Sequence, residues 1–163
     1  MGPKDVIRNL AQSNDFVMKT YLQDLSDADL LTRPGPGANH IAWQLGHLIN
    51  AEEELLKMIP GATTVPLPEG WDKLHGKENA AKDPPVGYRT KAEYMDWYAK
   101  VRENTMKVLN TLSDADLDKP TTGRLAQFAP TFGALLVLIA NHPMMHAGQI
   151  VVLRRKLGKP IVI

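Results

Sequence analysis

Apolar residues recur every three to four positions in four stretches of the chain, which is the periodicity of amphipathic α-helices. The first predicted helix carries its apolar stripe at Val6, Leu10, Val17 and Tyr21, and Asn14 interrupts that stripe. The pattern predicts an all-α fold whose four helices cover about residues 4–24, 40–58, 90–111 and 131–157.

Polar residues mark the predicted helix starts. Asn39 is the expected N-cap of the second helix and Thr131 that of the fourth. Thr90 followed by Glu93 has the spacing of a capping box at the start of the third. These signals agree with the apolar periodicity and fix where the helices begin.

Two features indicate how the helices connect. The segment Pro60–Arg89 is rich in Pro, Gly and Lys and is too long for a simple hairpin turn. The sequence LSDADL occurs at both Leu25–Leu30 and Leu112–Leu117, each time between two predicted helices. This repeat reflects either two duplicated hairpins or convergent turn chemistry. The expected architecture is one domain, residues 1–163, forming an antiparallel four-helix bundle with a long connection between helices two and three.

Composition excludes several classes of function. The formal net charge is +1 and no basic cluster occurs, which argues against nucleic acid as a partner. The chain has no cysteine, so neither a disulfide nor a protein thiolate is available. The longest apolar run, Ala134–Ala140, is far shorter than the roughly 20 residues of a membrane helix. The N-terminus lacks the apolar core of a signal peptide, so a cytoplasmic protein is expected.

Three histidines are the candidate metal ligands. His142 and His146 are four residues apart on one predicted helix and can chelate one ion, although this spacing alone is weak evidence. His47 lies on the apolar side of the second helix, where a neutral buried imidazole is the simpler explanation. Burying three imidazoles is costly unless a shared cation satisfies them. An all-nitrogen set of three leaves a coordination position open, with zinc as the default ion and nickel, iron or manganese as alternatives.

Other polar and aromatic residues near this set are weaker candidates. Gln149 is expected to face the same cavity, His40 to lie near its mouth as a cap or an exposed residue, and Trp43 to pack or to line the pocket. The run Glu52–Glu54 is expected to form a solvated helix face, and His75 to lie at the surface.

Two runs carry a resemblance to a known family. The segment NHIAWQLGHL, residues 39–48, and the segment NHPMMHAGQI, residues 141–150, resemble the signature helices of the DinB/YfiT-like superfamily. That resemblance implies a four-helix bundle in which His47, His142 and His146 hold the metal. It also implies a homodimer and, as in the thiol-dependent transferases of the superfamily, a low-molecular-weight thiol as cofactor.

The sequence therefore leaves three hypotheses for function. The first is a metal-dependent enzyme, either a thiol S-transferase or a hydrolase, that acts on a small molecule at the open coordination position. The second is a non-catalytic protein that binds a small ligand at the metal or senses stress. The third is a purely structural helical dimer whose histidines are satisfied by hydrogen bonds.

Overall fold

The chain folds into seven α-helices without a β-strand, which confirms the all-α prediction. These elements come from a computed structural model that describes all 163 residues. Four helices are long: α1 (Pro3–Leu22), α3 (Ile41–Leu56), α5 (Lys91–Thr111) and α7 (Phe132–Lys156). Three are short: α2 (Asp27–Leu31), α4 (Trp71–Leu74) and α6 (Asp114–Leu117). Two 3-10 turns lie at Lys77–Asn79 and Arg124–Gln127.

Side-chain caps begin three of the four long helices, α3, α5 and α7. Thr90 and Glu93 form the capping box of α5, and the Thr131 hydroxyl accepts the Ala134 N–H at the start of α7. The predicted cap of α3 is wrong by one residue. His40 is the N-cap, because its Nδ1 accepts the Trp43 N–H at 3.1 Å and so satisfies a free donor of the first turn.

The repeated sequence forms the same structure twice. Ser26 with Asp29 and Ser113 with Asp116 make capping boxes that begin α2 and α6. Each short helix follows one long helix and precedes the next. The repeat therefore turns the chain between two long helices at both of its positions.

The buried stripe of α1 differs from the predicted one. Val6 is 51% exposed, and the buried face is shifted by one residue around the helix. Asn14, predicted to interrupt the stripe, belongs to this buried face because its amide donates to the Ala140 carbonyl at 2.9 Å. The other buried residues of α1 are Ile7, Ala11, Met18, Tyr21 and Leu22.

The long helices pack around two apolar clusters. Helix α1 contacts α7 and α5, and α3 contacts α5 and α7. One cluster includes Met18, Leu45, Val101 and Ile150, and the other includes Ile7, Leu56, Leu109 and Leu136. Between the two clusters lie five polar residues whose side chains bond to a neighbouring long helix, called here the polar layer: Asn14, Asp15, Glu52, Arg102 and Thr105.

Ion pairs and hydrogen bonds connect the polar layer. The Arg102 guanidinium lies 3.2 Å from an Asp15 oxygen and 3.3 Å from a Glu52 oxygen. Thr105 donates its hydroxyl to Glu52, and the Tyr98 hydroxyl donates to Asp15 at 2.7 Å. The layer therefore joins α1, α3 and α5 inside the protein.

The connection between α3 and α5 covers one side of α3. Trp71 of α4 is buried, and its Nε1 donates to the Gly46 carbonyl at 3.0 Å. His75 packs so tightly against Gly46 that a Cβ there would lie 2.0 Å from the imidazole ring. The connection is thus a fixed part of the structure that depends on a glycine in α3.

Helix α7 is the one helix long and apolar enough to span a membrane by length and composition. The apolar run Ala134–Ala140 is too short to indicate a helix of this length, because α7 continues well beyond that run. The helix packs against both α1 and α3, and its buried side chains belong to the two apolar clusters. These contacts are those of a central core helix.

Candidate metal centre

His47, His142 and His146 converge between α3 and α7. One ring nitrogen from each lies within 4.8 Å of the other two. The ring centroid of His47 is 5.4 Å from that of His142 and 5.5 Å from that of His146, and the last two are 5.1 Å apart. Nitrogens that share one zinc ion lie about 3.3 Å apart, so an ion bound here would draw the three rings closer together.

Burial keeps these imidazoles neutral, as metal ligands must be. It lowers the pKa of His142 to about 4 and that of His146 to about 3, and the neighbouring histidines add to both effects. The pKa of His47 is also lowered by burial and, to a lesser extent, by Lys77. At neutral pH the three rings therefore offer lone pairs.

Gln44 determines which nitrogen of His146 is free. Its side-chain nitrogen donates to the Asn39 carbonyl at 2.9 Å, which leaves Oε1 to accept from His146 Nδ1 at 3.0 Å. His146 consequently carries its proton on Nδ1 and presents Nε2 to the centre. Gln44 was not among the residues predicted from the sequence, and its position three residues before His47, one helical turn away, was the available signal.

Trp43 supports the ring of His47. The two rings stack with centroids 4.9 Å apart and an interplanar angle of 5°. The indole N–H donates to the Gly76 carbonyl at 3.0 Å, which anchors Trp43 to the connection. Trp43 is buried and packs against the His47 ring, and packing is one of the two roles predicted for it.

A cavity of about 420 Å³ opens beside two of the histidines. Most of its walls are apolar, and Glu54 is its one carboxylate. It can hold a small molecule with an apolar body next to the centre. The lining residues are His47, Asn50, Ala51, Glu54, Leu55, Leu125, Leu138, His142 and Met145.

The structure does not place Gln149 in this cavity. Gln149 is exposed and lines a separate cavity of about 510 Å³, together with Gln44 and the Pro34–Asn39 loop. Helical spacing alone put Gln149 near His146, but it could not say which side of α7 faces the open space. Gln44, and not Gln149, contacts one of the three histidines.

His47, His142 and His146 are called here the histidine triad. The other two histidines are more buried than predicted. His40 is a helix cap, which is one of the roles expected for it. It is fully buried against Tyr88 and does not line the cavity beside the triad. His75, predicted at the surface, is 3% exposed and bonds to the Trp71 carbonyl and the Tyr94 hydroxyl, both at 2.8 Å. Burial lowers the pKa of each to about 4.

The predicted solvated glutamate face is also wrong for two of its three residues. Glu54 is exposed, but Glu52 and Glu53 are 5% and 2% exposed. Glu52 turns inward because Arg102 neutralises it, and Glu53 because it accepts the Val65 N–H of the connection. Both partners are far away in the sequence, so helical periodicity could not reveal them.

The fold and the site define an all-helical protein with three convergent histidines between two long helices. The sequence pattern of the DinB superfamily matches residues 17–150. The chain therefore belongs to the DinB superfamily, which confirms the resemblance seen in its two histidine-bearing helices.

A solved structure shows the same fold. It is described as the conserved protein of locus from Enterococcus faecalis and is 20% identical to this chain, with a TM-score of 0.77. The alignment covers 98% of this chain and 99% of that one. No curated protein matches the chain significantly.

Proposed function

We propose that His47, His142 and His146 bind one divalent metal ion and that the protein is a metal-dependent enzyme acting on a small molecule in the adjoining cavity. The convergence of three ring nitrogens within 4.8 Å beside a 420 Å³ cavity carries this proposal. Membership of the DinB superfamily supports it. Zinc is the first choice of ion, and nickel, iron and manganese also accept imidazole ligands.

The favoured reaction is transfer of a low-molecular-weight thiol to an apolar electrophile. A divalent ion with three protein ligands lowers the pKa of a thiol or water at its open position. The protein orients the ligand rings through Gln44 and Trp43, and Leu55, Leu125 and Leu138 provide an apolar surface for the electrophile. Because the chain has no cysteine, the thiol has to come from a cofactor.

Hydrolysis is the second candidate reaction. Glu54 lines the cavity with two of the histidines and is a possible general base for water. Its ion pair with Lys57, at 2.5 Å, competes with that role. Replacing Glu54 with Gln is expected to abolish hydrolysis and to leave thiol transfer unchanged, which separates the two reactions.

The remaining expectations form part of the same proposal. The four long helices form an antiparallel bundle in one domain, with residues 57–90 as its long connection. The exposed side chains of Phe16, Val137 and Val152 supply apolar surface for a homodimer, which sedimentation can test. We place the protein in the cytoplasm, with neither nucleic acid nor a membrane as a partner.

Elemental analysis of untagged protein tests the metal site. Close to one ion per chain is expected in the wild type, with loss of that ion in His142→Ala. Met144→Ala, an exposed residue on the same helix, is the matched control. Metal content that survives His142→Ala contradicts the ligand assignment.

Activity is tested with the metal-loaded protein. A panel of low-molecular-weight thiols is offered with an alkylating electrophile, and thiol consumption is measured in the wild type and in His142→Ala. Metal-dependent consumption supports the transferase. Tight ligand binding without a product identifies a non-catalytic binding or sensing protein instead.

A further inference from the structure

Glu53 lines a second cavity, and one of its carboxylate oxygens has no hydrogen-bond partner. Its Oε2 accepts the Val65 N–H at 2.6 Å, which fixes the carboxylate between α3 and the connection. Its Oε1 has no hydrogen-bond partner, although Glu53 is only 2% exposed. A buried carboxylate oxygen without a partner is costly, so this atom is suited to a positively charged donor.

The cavity that Glu53 lines is strongly acidic. It has a volume of about 340 Å³ and lies between α3 and residues 64–72 of the connection. Four of its lining residues are acidic, namely Glu53, Glu54, Glu69 and Asp72. Lys57 is the one basic residue of the lining, and its ammonium group already bonds to Glu54 at 2.5 Å. The cavity therefore attracts cations.

The shape of this site favours an organic cation over a metal ion. The histidine triad is the one set of three His, Asp or Glu ligand atoms found within 4.8 Å of one another, so the carboxylates here form no preassembled metal cage. The walls also include the largely apolar side chains of Pro66, Leu67, Pro68 and Trp71. Such a lining binds a charged group at one end of a ligand and an apolar body at the other.

We propose that this cavity binds a small molecule with a primary ammonium group, which donates to Glu53 Oε1. An ammonium group has three donors and no acceptor, and a charge-assisted bond to a carboxylate is stronger than a neutral one. Burial raises the pKa of Glu53, and a bound cation opposes that effect by stabilising the carboxylate. The site is distinct from the histidine triad, although Asn50 and Glu54 line both cavities.

Titration of the full-length protein with butylammonium chloride tests the site, with 1-butanol as the neutral probe of the same size. The butylammonium ion is expected to bind at least about tenfold more tightly than 1-butanol, since a charge-assisted bond is worth more than about 1.4 kcal/mol. Equal binding of the two probes overturns the proposal. Saturable binding of calcium chloride without butylammonium binding also overturns it, because the site is then a metal site.

Variants locate the bound probe. Glu53→Gln keeps an oxygen to accept the Val65 N–H and removes the charge, so it is expected to weaken butylammonium binding about tenfold or more. Glu103→Gln, which changes an exposed glutamate of α5, is the matched control. Unchanged binding in Glu53→Gln contradicts the proposal.

Two further variants distinguish the acidic cavity from the metal centre as the place where the probe binds. Thr64→Phe puts a large side chain at the exposed edge of the cavity and is expected to block the probe even if Glu53→Gln fails to fold. His142→Ala is expected to leave butylammonium binding unchanged. Loss of binding in His142→Ala assigns the probe to the metal centre instead and contradicts the separate site, whereas the metal assignment itself is judged by metal content.

Discussion

At the residue scale, Gln44 is the side chain that holds the ring of His146, one of the three proposed metal ligands. Replacing it with Leu removes the acceptor for Nδ1–H and leaves the ring free to rotate or to change tautomer. Loss of such a contact lowers metal affinity about 10- to 100-fold. Competition with a chromogenic chelator measures this affinity. Gln149→Leu, an exposed amide without a bond to the triad, is the control, and equal losses in both variants contradict the role of Gln44.

The histidine triad was predictable once His47 and its motif were added to the spacing of His142 and His146, but the surroundings of the triad were not. Histidine is a common metal ligand, and the spacing of these residues on two helices is visible in the sequence. Gln44 and Trp43 lie in the same recognisable motif, yet only the fold shows that one accepts a proton from His146 and the other stacks on His47. The burial of His75 depends on Gly46, which lies 29 positions earlier in the sequence.

Gly46 is the residue that allows the connection to close over α3. A methyl group in Gly46→Ala would overlap the His75 ring, and overpacking of this kind costs about 1–3 kcal/mol. We expect a lower urea midpoint. Gly148→Ala is the matched control, since a Cβ there meets no atom within 4 Å, and it should stabilise α7 by up to about 1 kcal/mol. Stabilisation by both substitutions would show that the contact with His75 is not limiting.

At the element scale, Arg154 ties the end of α7 to α1. Its fully buried guanidinium donates to the Tyr21 carbonyl at 2.7 Å, to the Pro160 carbonyl at 2.8 Å and to Asp24. Arg154→Met is expected to destabilise the protein by about 2–4 kcal/mol, because these acceptors lose a charged donor.

A variant in the same helical turn distinguishes the loss of the Arg154 hydrogen bonds from the loss of a cation near the negative end of the helix dipole. Arg155→Met removes an exposed cation one residue further along α7, so it tests the dipole alone and should cost less than about 1 kcal/mol. Chemical denaturation of the two variants measures both losses. Similar losses would mean that the cations act only through the dipole.

Helix positions were more predictable than helix faces. Apolar periodicity located all four long helices, and capping residues marked the starts of three of them, because both signals are local. The buried face of α1 and the inward direction of Glu52 were mispredicted, since each depends on a distant partner. Asn14 donates to a carbonyl of α7, and Glu52 forms an ion pair with Arg102 of α5. Neither contact is visible in the local sequence pattern.

At the scale of the whole molecule, all five histidines have a lowered pKa in the folded state. Between pH 6.5 and about 4 the unfolded chain binds protons that the folded chain does not, so stability falls as the pH falls. His40 and His75 each contribute a loss of about 2 kcal/mol between pH 7 and pH 5. Burial raises the pKa of Glu52, although Arg102 opposes this effect, and a raised pKa has the opposite sign and offsets part of the loss.

Urea denaturation of the metal-free protein at pH 7 and pH 5 measures this balance. We expect a clear net loss of stability at the lower pH. His75→Gln should show a smaller loss than the wild type, because it removes one of the titrating rings. Stability that rises towards pH 5 would mean that Glu52 outweighs the histidines.

The polar layer also determines how far the helices can slide along one another. A shift of one helical turn would move one helix about 5.4 Å along its neighbour. A shift of α5 against α3 would separate Arg102 from Glu52 and leave two buried charges uncompensated. The polar layer therefore opposes such sliding. Because Asn14 of the same layer donates to the Ala140 carbonyl, it also helps to hold α7, with its two histidines, in place along the bundle.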